Sequence, residues 1–307
     1  MCEVGKVYLV GAGPGDPTLL TKRAEYLIGQ ADIVFYDRLV HPFIVQIAPP
    51  HSELVSVGKM PYNNHITQEE IHELFINSAK EGKTVVRLKG GDPAIFGRVK
   101  EEVEALDTHG ISWEIIPGIT ASSAAASSLG IGLTGRNVST NVTLTTGHFK
   151  PESHDKSNIQ TLLDGGTIAI YMGVKKIDGI MRQIQDETLE DYPVAVLINA
   201  TLYSEELVIG KVSDIAEKLI SAMNNYQPAI IIIGKVIDDI TYPLPNSVSK
   251  TLINGRHEAA VRTAFLKYHS KEVAYIQPID TMSESYAAYV NQLIDQHIFD
   301  KKISIQS

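Results

Sequence analysis

Cysteine is almost missing: Cys2 is the single one in 307 residues. No intrachain disulfide can form, and the paired-cysteine spacings of structural zinc sites are excluded. The ten histidines never fall at His-x-x-x-His or a comparable ligand spacing, so no metal is expected. Long apolar runs are lacking too. The stretch AIIII at 229–233 is far short of the roughly 20 residues a membrane helix needs. The first residues have no signal-peptide pattern, and the chain reads as cytoplasmic and membrane-free. Positive charge is the minority, with 27 Lys plus Arg against 36 Asp plus Glu and a formal net charge of −9. A surface built to wrap nucleic acid is therefore excluded, and any anionic ligand must find a local basic cluster. Neither a G-x-S-x-G elbow nor a P-loop occurs, which weighs against hydrolase and nucleotidyl-transfer chemistry. No repeat of fixed period stands out.

What is present is an ordinary globular composition, 44% apolar and 21% charged. The length is about twice the ~150-residue prior for one domain, so two domains and an appendage are expected. A β-type run at 7–10, the loop GAGPGDP at 11–17, a helical pattern at 18–31 and the run DIVFYD at 32–37 make a βαβ unit. The pattern recurs. A helix at 67–83 opens with a Thr-x-x-Glu capping box, a buried-type strand follows at 84–93, then a helix at 98–110, a strand at 112–118 and a small-residue helix at 120–130. This alternation implies a parallel sheet. After Thr134 the texture changes to an alternating β-branched strand at 137–148. Strands at 167–173, 193–201 and 228–236 follow, separated by helices at about 174–187 and 212–225. The reading is an α/β domain over 1–118, a second over 119–243, and an extension over 244–307 with helices near 256–269 and 282–297 and no chemical motif.

Four segments carry candidate chemistry. The first loop invites a dinucleotide-binding reading, but Pro14 removes an amide donor and Asp16 adds negative charge where a pyrophosphate would sit. An ordinary tight βα turn is the alternative. Asp37 ends an apolar strand, at the carboxyl edge where open α/β sheets place ligands; it is otherwise a helix cap or a partner for Arg38. RLKGGDPAIFGR at 87–98 crowds Arg87, Lys89, Asp92 and Arg98 around two glycines at the end of a buried-type strand. Charges there need partners, glycines let a ligand approach the backbone, and arginines can fork onto carboxylates. A solvated turn is the alternative. PGITASSAAASSLG at 117–130 reads either as a Ser/Ala linker or as a helix whose start suits an anion.

Taken together, VGAGPGDPTLLT at 10–21, FYDRLV at 35–40, VGK at 57–59, RLKGGDPAIFGR at 87–98, PGITAS at 117–122, TTGH at 145–148, YMGV at 171–174 and PAIIIIGKV at 228–236 resemble the tetrapyrrole methylase family. The likeness covers about 5–243 in order, and most resembles members acting on uroporphyrinogen III. It implies a two-domain fold, with a parallel-sheet N-terminal domain and a mixed-sheet C-terminal one, usually a homodimer, binding S-adenosylmethionine in a cleft between domains. The implied reaction methylates C-2 and C-7 of uroporphyrinogen III to precorrin-2, towards siroheme and cobalamin, leaving S-adenosylhomocysteine. Carried over by position, Pro14, Gly90, Gly91, Asp92, Ile95, Thr120, Ala121, Met172, Ala200 and Ala229 would hold the cofactor. Asp37 matches the proton acceptor and Lys59 the proposed proton donor, which could instead hold a substrate carboxylate. Arg38, Arg98 and Arg136 would receive the carboxylates of the macrocycle.

Three strings depart from the family pattern. GGDPAIFGRV stands for GGDPFIFGRG, GIGLTGR for GIPLTHR, and Glu205 for a glutamine. Ala94, Val99, Gly132, Gly135 and Glu205 thus fall where substrate would border. Two alternatives stay open: a methyltransferase for another tetrapyrrole such as a later precorrin, and a weakly active homologue that retains the cofactor site.

Overall fold

The computed structural model describes residues 4–58, 67–147, 156–222, 227–242 and 248–305. Two compact units result, Met1–Thr120 with Asn246–Ser307, and Ala121–Pro245.

The first unit opens with β1 (Val7–Gly11), α1 (Lys22–Ile28), β2 (Ile33–Tyr36), α2 (Pro42–Gln46), β3 (Glu53–Ser56), α3 (Gln68–Lys80), β4 (Val85–Lys89), α4 (Val99–Thr108) and β5 (Trp113–Ile116). The strands form one parallel sheet in the order β3-β2-β4-β1-β5. Alternate residues bury opposite ways. Val7, Leu9 and Phe35 meet Phe75 of α3 and Leu106 of α4, while Val10, Val34 and Val86 meet Ala24 and Ile28 of α1 and Phe43 of α2. The capping box read from sequence is present, with Thr67 and Glu70 bonding each other's backbone amides. The single helix expected over 18–31 is split. Asp16 caps a 3-10 turn at Pro17–Leu19 and Thr21 separately caps α1, so two side chains compete to start a helix and both succeed locally. Two short elements, α2 and β3, lie in a stretch to which the sequence reading gave no element; five and four residues are too few to show a period.

The second unit holds α5 (Ala121–Leu129), β6 (Val142–Thr146), α6 (Lys156–Leu163), β7 (Thr167–Tyr171), α7 (Ile177–Glu187), β8 (Pro193–Ile198), β9 (Glu206–Lys211), α8 (Ile215–Ala222) and β10 (Ala229–Ile233). Its sheet is mixed, ordered β6-β7-β10-β8-β9, with β6 parallel to β7 and β10 antiparallel to both neighbours. Strand β9 is not legible in the sequence, because ELVIGK lies at an edge and alternates only weakly.

Residues 246–307 rejoin the first unit. The two expected helices are α9 (His257–His269) and α10 (Glu284–Gln296), but three strands accompany them: β11 (Lys250–Gly255), β12 (Val273–Pro278) and β13 (Lys301–Ser304). They make a parallel sheet in the order β12-β11-β13, and Ile253, Tyr275, Tyr286 and Val290 share one core with Phe43 and Ile44 of α2. Gln46, fully buried, donates to Ile276 O at 2.7 Å and accepts from Ile276 N at 3.1 Å, substituting for a strand neighbour along β12.

Three histidines sit in or beside this core, and burial lowers the pKa of each. Burial, with the nearby His297 adding a like charge, pushes His41 down to about 3. Burial lowers His257, against its hydrogen bonds to the backbone of Gln46, whose carbonyl accepts from Nε2, and of Ala48, and against the charge of Asp280; burial also lowers His297. A depressed histidine pKa favours the fold above the unfolded value near 6.5, and that contribution is lost as pH falls below it. Unfolding free energy from urea titrations is expected to decline from pH 7.5 to 5.5, with a slope approaching about 1.4 kcal/mol per pH unit for each histidine fully held neutral. His41→Phe should flatten the slope.

Candidate active site

Five parallel strands deliver five loops to one carboxyl edge of the first unit, which is the geometric reason the scattered motifs meet. From β1 comes the loop with Pro14, from β2 Asp37 and Arg38, from β3 Gly58, from β4 Gly90, Gly91 and Asp92, and from β5 the turn ending in Thr120. Lys59 lies outside the described residues.

The loops approach backbone to backbone. Gly13 and Gly91 exchange both hydrogen bonds, Gly13 N to Gly91 O at 3.1 Å and Gly91 N to Gly13 O at 2.7 Å. A Cβ on Gly118 would stand 2.2 Å from Gly91 O, and one on Gly11 2.6 Å from Gly118 N, so side chains are excluded there by contact. Asp92 ties the junction from the side: its carboxylate accepts from Ala94 N at 2.7 Å and from Gly118 N at 3.2 Å. Ile95 N closes the same turn onto Asp92 O. Gly91 has φ +71° and, apart from Thr120 Cα at 4.0 Å, open space where a side chain would point. The first loop cannot serve a pyrophosphate, because Asp16 already bonds Thr18 N and Oγ1 at the start of the 3-10 turn.

Beneath this edge lies a buried ion cluster. Glu102 of α4, 1% exposed, accepts from Lys89 Nζ at 2.8 Å and from Arg87 Nε at 3.3 Å. Its Oε2 is buried with no hydrogen-bond partner among the described residues. Burial lowers the Lys89 pKa, Arg87 adds to that, and Glu102 and then Asp37 oppose it. Two cations against one carboxylate leave excess positive charge, which Asp37 at the edge offsets. Arg87 and Lys89, expected at the ligand surface, are 5% and 6% exposed and so serve this cluster instead. Glu102 was overlooked although a signal existed: it falls on the apolar stripe of α4 with Val99, Val103 and Leu106, where an acid needs a buried cation. Asp37 Oδ1 accepts from Leu39 N at 2.9 Å, fixing the carboxylate on its own loop. Arg38 and Arg98 are exposed, the latter paired with Glu101 at 3.1 Å.

In the second unit, antiparallel β10 brings its start beside the ends of β7 and β8: Ile230 pairs with Tyr171 and Ala229 with Ile198. Met172, Ala200 and Ala229 therefore share one sheet edge. Tyr171 Oη donates to Ser122 Oγ at 2.8 Å and accepts from Ser122 N at 3.2 Å, tying the start of α5, with Ala121, to that edge. The backbone there is left-handed at Met172 (φ 54°), Asn199 (φ 51°) and Thr201 (φ 67°), conformations that non-glycine residues keep only when the surroundings impose them. Glu205 imposes one of them, accepting from Thr201 N at 2.5 Å and from Ser128 Oγ at 2.9 Å. Composition could not reveal this, since the strain is a property of the folded turn. Burial, with the charge of Glu205 behind it, raises the Tyr242 hydroxyl. Arg136 is elsewhere: its turn, 135–139, is anchored by Ser139 to Thr167 at the opposite end of β7, so the structure does not bring it to this edge.

Residues 6–216 match the family model for tetrapyrrole (corrin/porphyrin) methylases. The chain belongs to this family. A uroporphyrinogen-III C-methyltransferase of Bacillus subtilis is 42% identical over 237 residues, 76% of this chain and 92% of that protein. A siroheme synthase of Hahella chejuensis is 42% identical over 236 residues, and there this tetrapyrrole methylase spans about half of the relative, 50%. A solved structure of a uroporphyrin-III C-methyl transferase from Thermus thermophilus, complexed with S-adenyl homocysteine, is 35% identical and superposes with a TM-score of 0.64, covering 76% of this chain and 99% of that one. Among the described residues the methylase has no group of three His, Cys, Asp or Glu able to hold a metal ion, and no helix long and apolar enough to cross a membrane.

The glycine junction yields a direct test. Gly118→Ala, with its Cβ forced against Gly91 O, should destabilise the protein by about 1–3 kcal/mol in urea unfolding. Gly179→Ala on the exposed face of helix α7, where nothing lies within 4 Å, should instead be neutral or stabilise by up to about 1 kcal/mol.

Proposed function

We propose that this protein transfers methyl groups from S-adenosylmethionine to C-2 and C-7 of uroporphyrinogen III, giving precorrin-2. The observation that carries the reading is the carboxyl edge of the first sheet. A close-approach glycine junction, open space beside Gly91 and an acid on the neighbouring loop stand together there, within a chain 42% identical to a uroporphyrinogen-III C-methyltransferase.

The residues fit such a cofactor. Its sulfonium is a cation and its body a nucleoside, so backbone groups and small side chains suit it better than an anion-binding helix start. Gly90, Gly91, Pro14, Ile95 and Thr120 would contact the cofactor, with Asp92 holding the loops in register; Ala121, Met172, Ala200 and Ala229 are further candidates that the family resemblance implies. When bound, S-adenosylmethionine supplies an activated methyl and leaves as S-adenosylhomocysteine. The chain's share is alignment, an effect worth up to roughly 7–11 kcal/mol in ideal cases. An electron-rich pyrrole carbon attacks unaided, and the methylated macrocycle must then lose a proton, which Asp37 would accept. Lys59 stands as proton donor or as holder of a substrate carboxylate. Arg38 and Arg98, both exposed, suit the carboxylates of the macrocycle. The family resemblance also supports a cytoplasmic homodimer and a product bound for siroheme or cobalamin.

The test is anaerobic incubation with uroporphyrinogen III and labelled S-adenosylmethionine, followed by mass analysis. Two added methyls are expected, and none would overturn the reading. Asp37→Ala should abolish turnover while S-adenosylmethionine affinity in calorimetry stays within about threefold. Gly91→Val, which places a branched side chain at φ +71° in the open space, should abolish cofactor binding.

A further inference from the structure

Residues 246–307 lie outside the matched family region, yet they grip the segment that carries Asp37. The ring of Tyr289, on α10, packs edge-on against Tyr36, the residue before Asp37, with centroids 5.4 Å apart. Its hydroxyl donates to Pro42 O at 3.3 Å, at the other end of the same loop. One side chain thus spans the 37–41 loop from entry to exit. His41, the last loop residue, is buried edge-on to Tyr268 of α9 at 5.6 Å and stacked over Tyr275 of β12 at 6.2 Å. Beyond it, Tyr286 Oη donates to Gln46 O at 2.8 Å.

The next strand over is held in the same way. Ser283 Oγ donates to Ser52 O at 2.7 Å and Leu54 N donates to Ser285 Oγ at 2.9 Å, fixing β3, the strand that leads to Lys59. These bonds join α10 to the backbone of α2 and β3, so they are insensitive to loop side chains but restrict where the loops begin and end.

We infer that the C-terminal segment, 246–307, is a positioning clamp for the Asp37 loop, with Tyr289 as its central residue. It touches neither substrate nor cofactor and acts through the placement of Asp37. The clamp rests on the proposed methyl transfer for its kinetic readout, though not for its mechanical one. An ångström-scale displacement of an aligned group costs up to about a hundredfold in rate, whereas a cofactor seat built on β1, β4 and β5 would be untouched.

The experiment uses the full chain with Tyr289→Phe, which removes only the hydroxyl, and Tyr289→Ala, which removes the ring as well. Amide hydrogen exchange over 37–41 should quicken in the order wild type, Phe, Ala. The kcat should fall by about 10- to 100-fold in Tyr289→Ala and by less in Tyr289→Phe, with S-adenosylmethionine affinity unchanged within twofold. Unchanged exchange over 37–41 in a folded Tyr289→Ala protein would overturn the clamp. So would faster exchange with kcat unaltered, or a parallel loss of kcat and cofactor affinity, which marks general loosening. If Tyr289→Ala does not fold, Tyr289→Phe decides by the same criteria. An unsubstituted chain that methylates nothing counts against the functional reading, and the exchange data then judge the clamp alone.

Discussion

Three strand ends meet without side chains at Gly11, Gly91 and Gly118, and the candidate active site is organised around that contact. The Gly13–Gly91 backbone pair and the Asp92 carboxylate lock the three loops into one surface. Close packing of this kind is rigid because its partners are carbonyls and amides, which cannot rotate away as a flexible side chain can. Pre-organisation matters for a methyl transfer, in which the protein contributes alignment more than acid–base chemistry.

Electrostatics form a second layer beneath the first. Arg87, Lys89 and Glu102 place charges under an edge that would otherwise be apolar, and Asp37 lies within reach of their field. A buried triad of this sort is weak evidence for stability, since desolvation opposes the Coulomb gain. Its clearer consequence is orientation: the charge pattern beneath Asp37 is fixed by backbone-anchored groups and does not depend on solvent. Arg38 and Arg98 are exposed, Arg98 in an ion pair with Glu101, and they supply the positive charge that the proposed reading assigns to an anionic ligand of an acidic chain.

The C-terminal segment of the first unit adds a third layer. Fully buried Gln46, the caps of α10 and the aromatic contacts of Tyr289 and His41 make its sheet continuous with the core behind α2. A part of the chain with no chemical motif can still bear on catalysis by holding the ends of a loop that has one. Burial of histidines in that junction also gives it a reason to weaken in acid.

Much was legible before any coordinates. Alternating βα patterns announced the parallel sheet, the Thr67 box announced α3, and the GGD and YDR strings named their loops, because local propensity and periodicity act over a few residues and are written directly in the chain. Short or edge elements such as α2, β3 and β9 were not, since too few residues carry a period. Tertiary structure alone decided that Arg87 and Lys89 turn inward to Glu102, that Arg136 belongs to the far end of its sheet, and that Thr201 is held left-handed by Glu205. It alone also decided that residues 246–307 close on α2 and β3. Each of these depends on which distant residues become neighbours, and burial, charge pairing and backbone strain have no value until that neighbourhood exists.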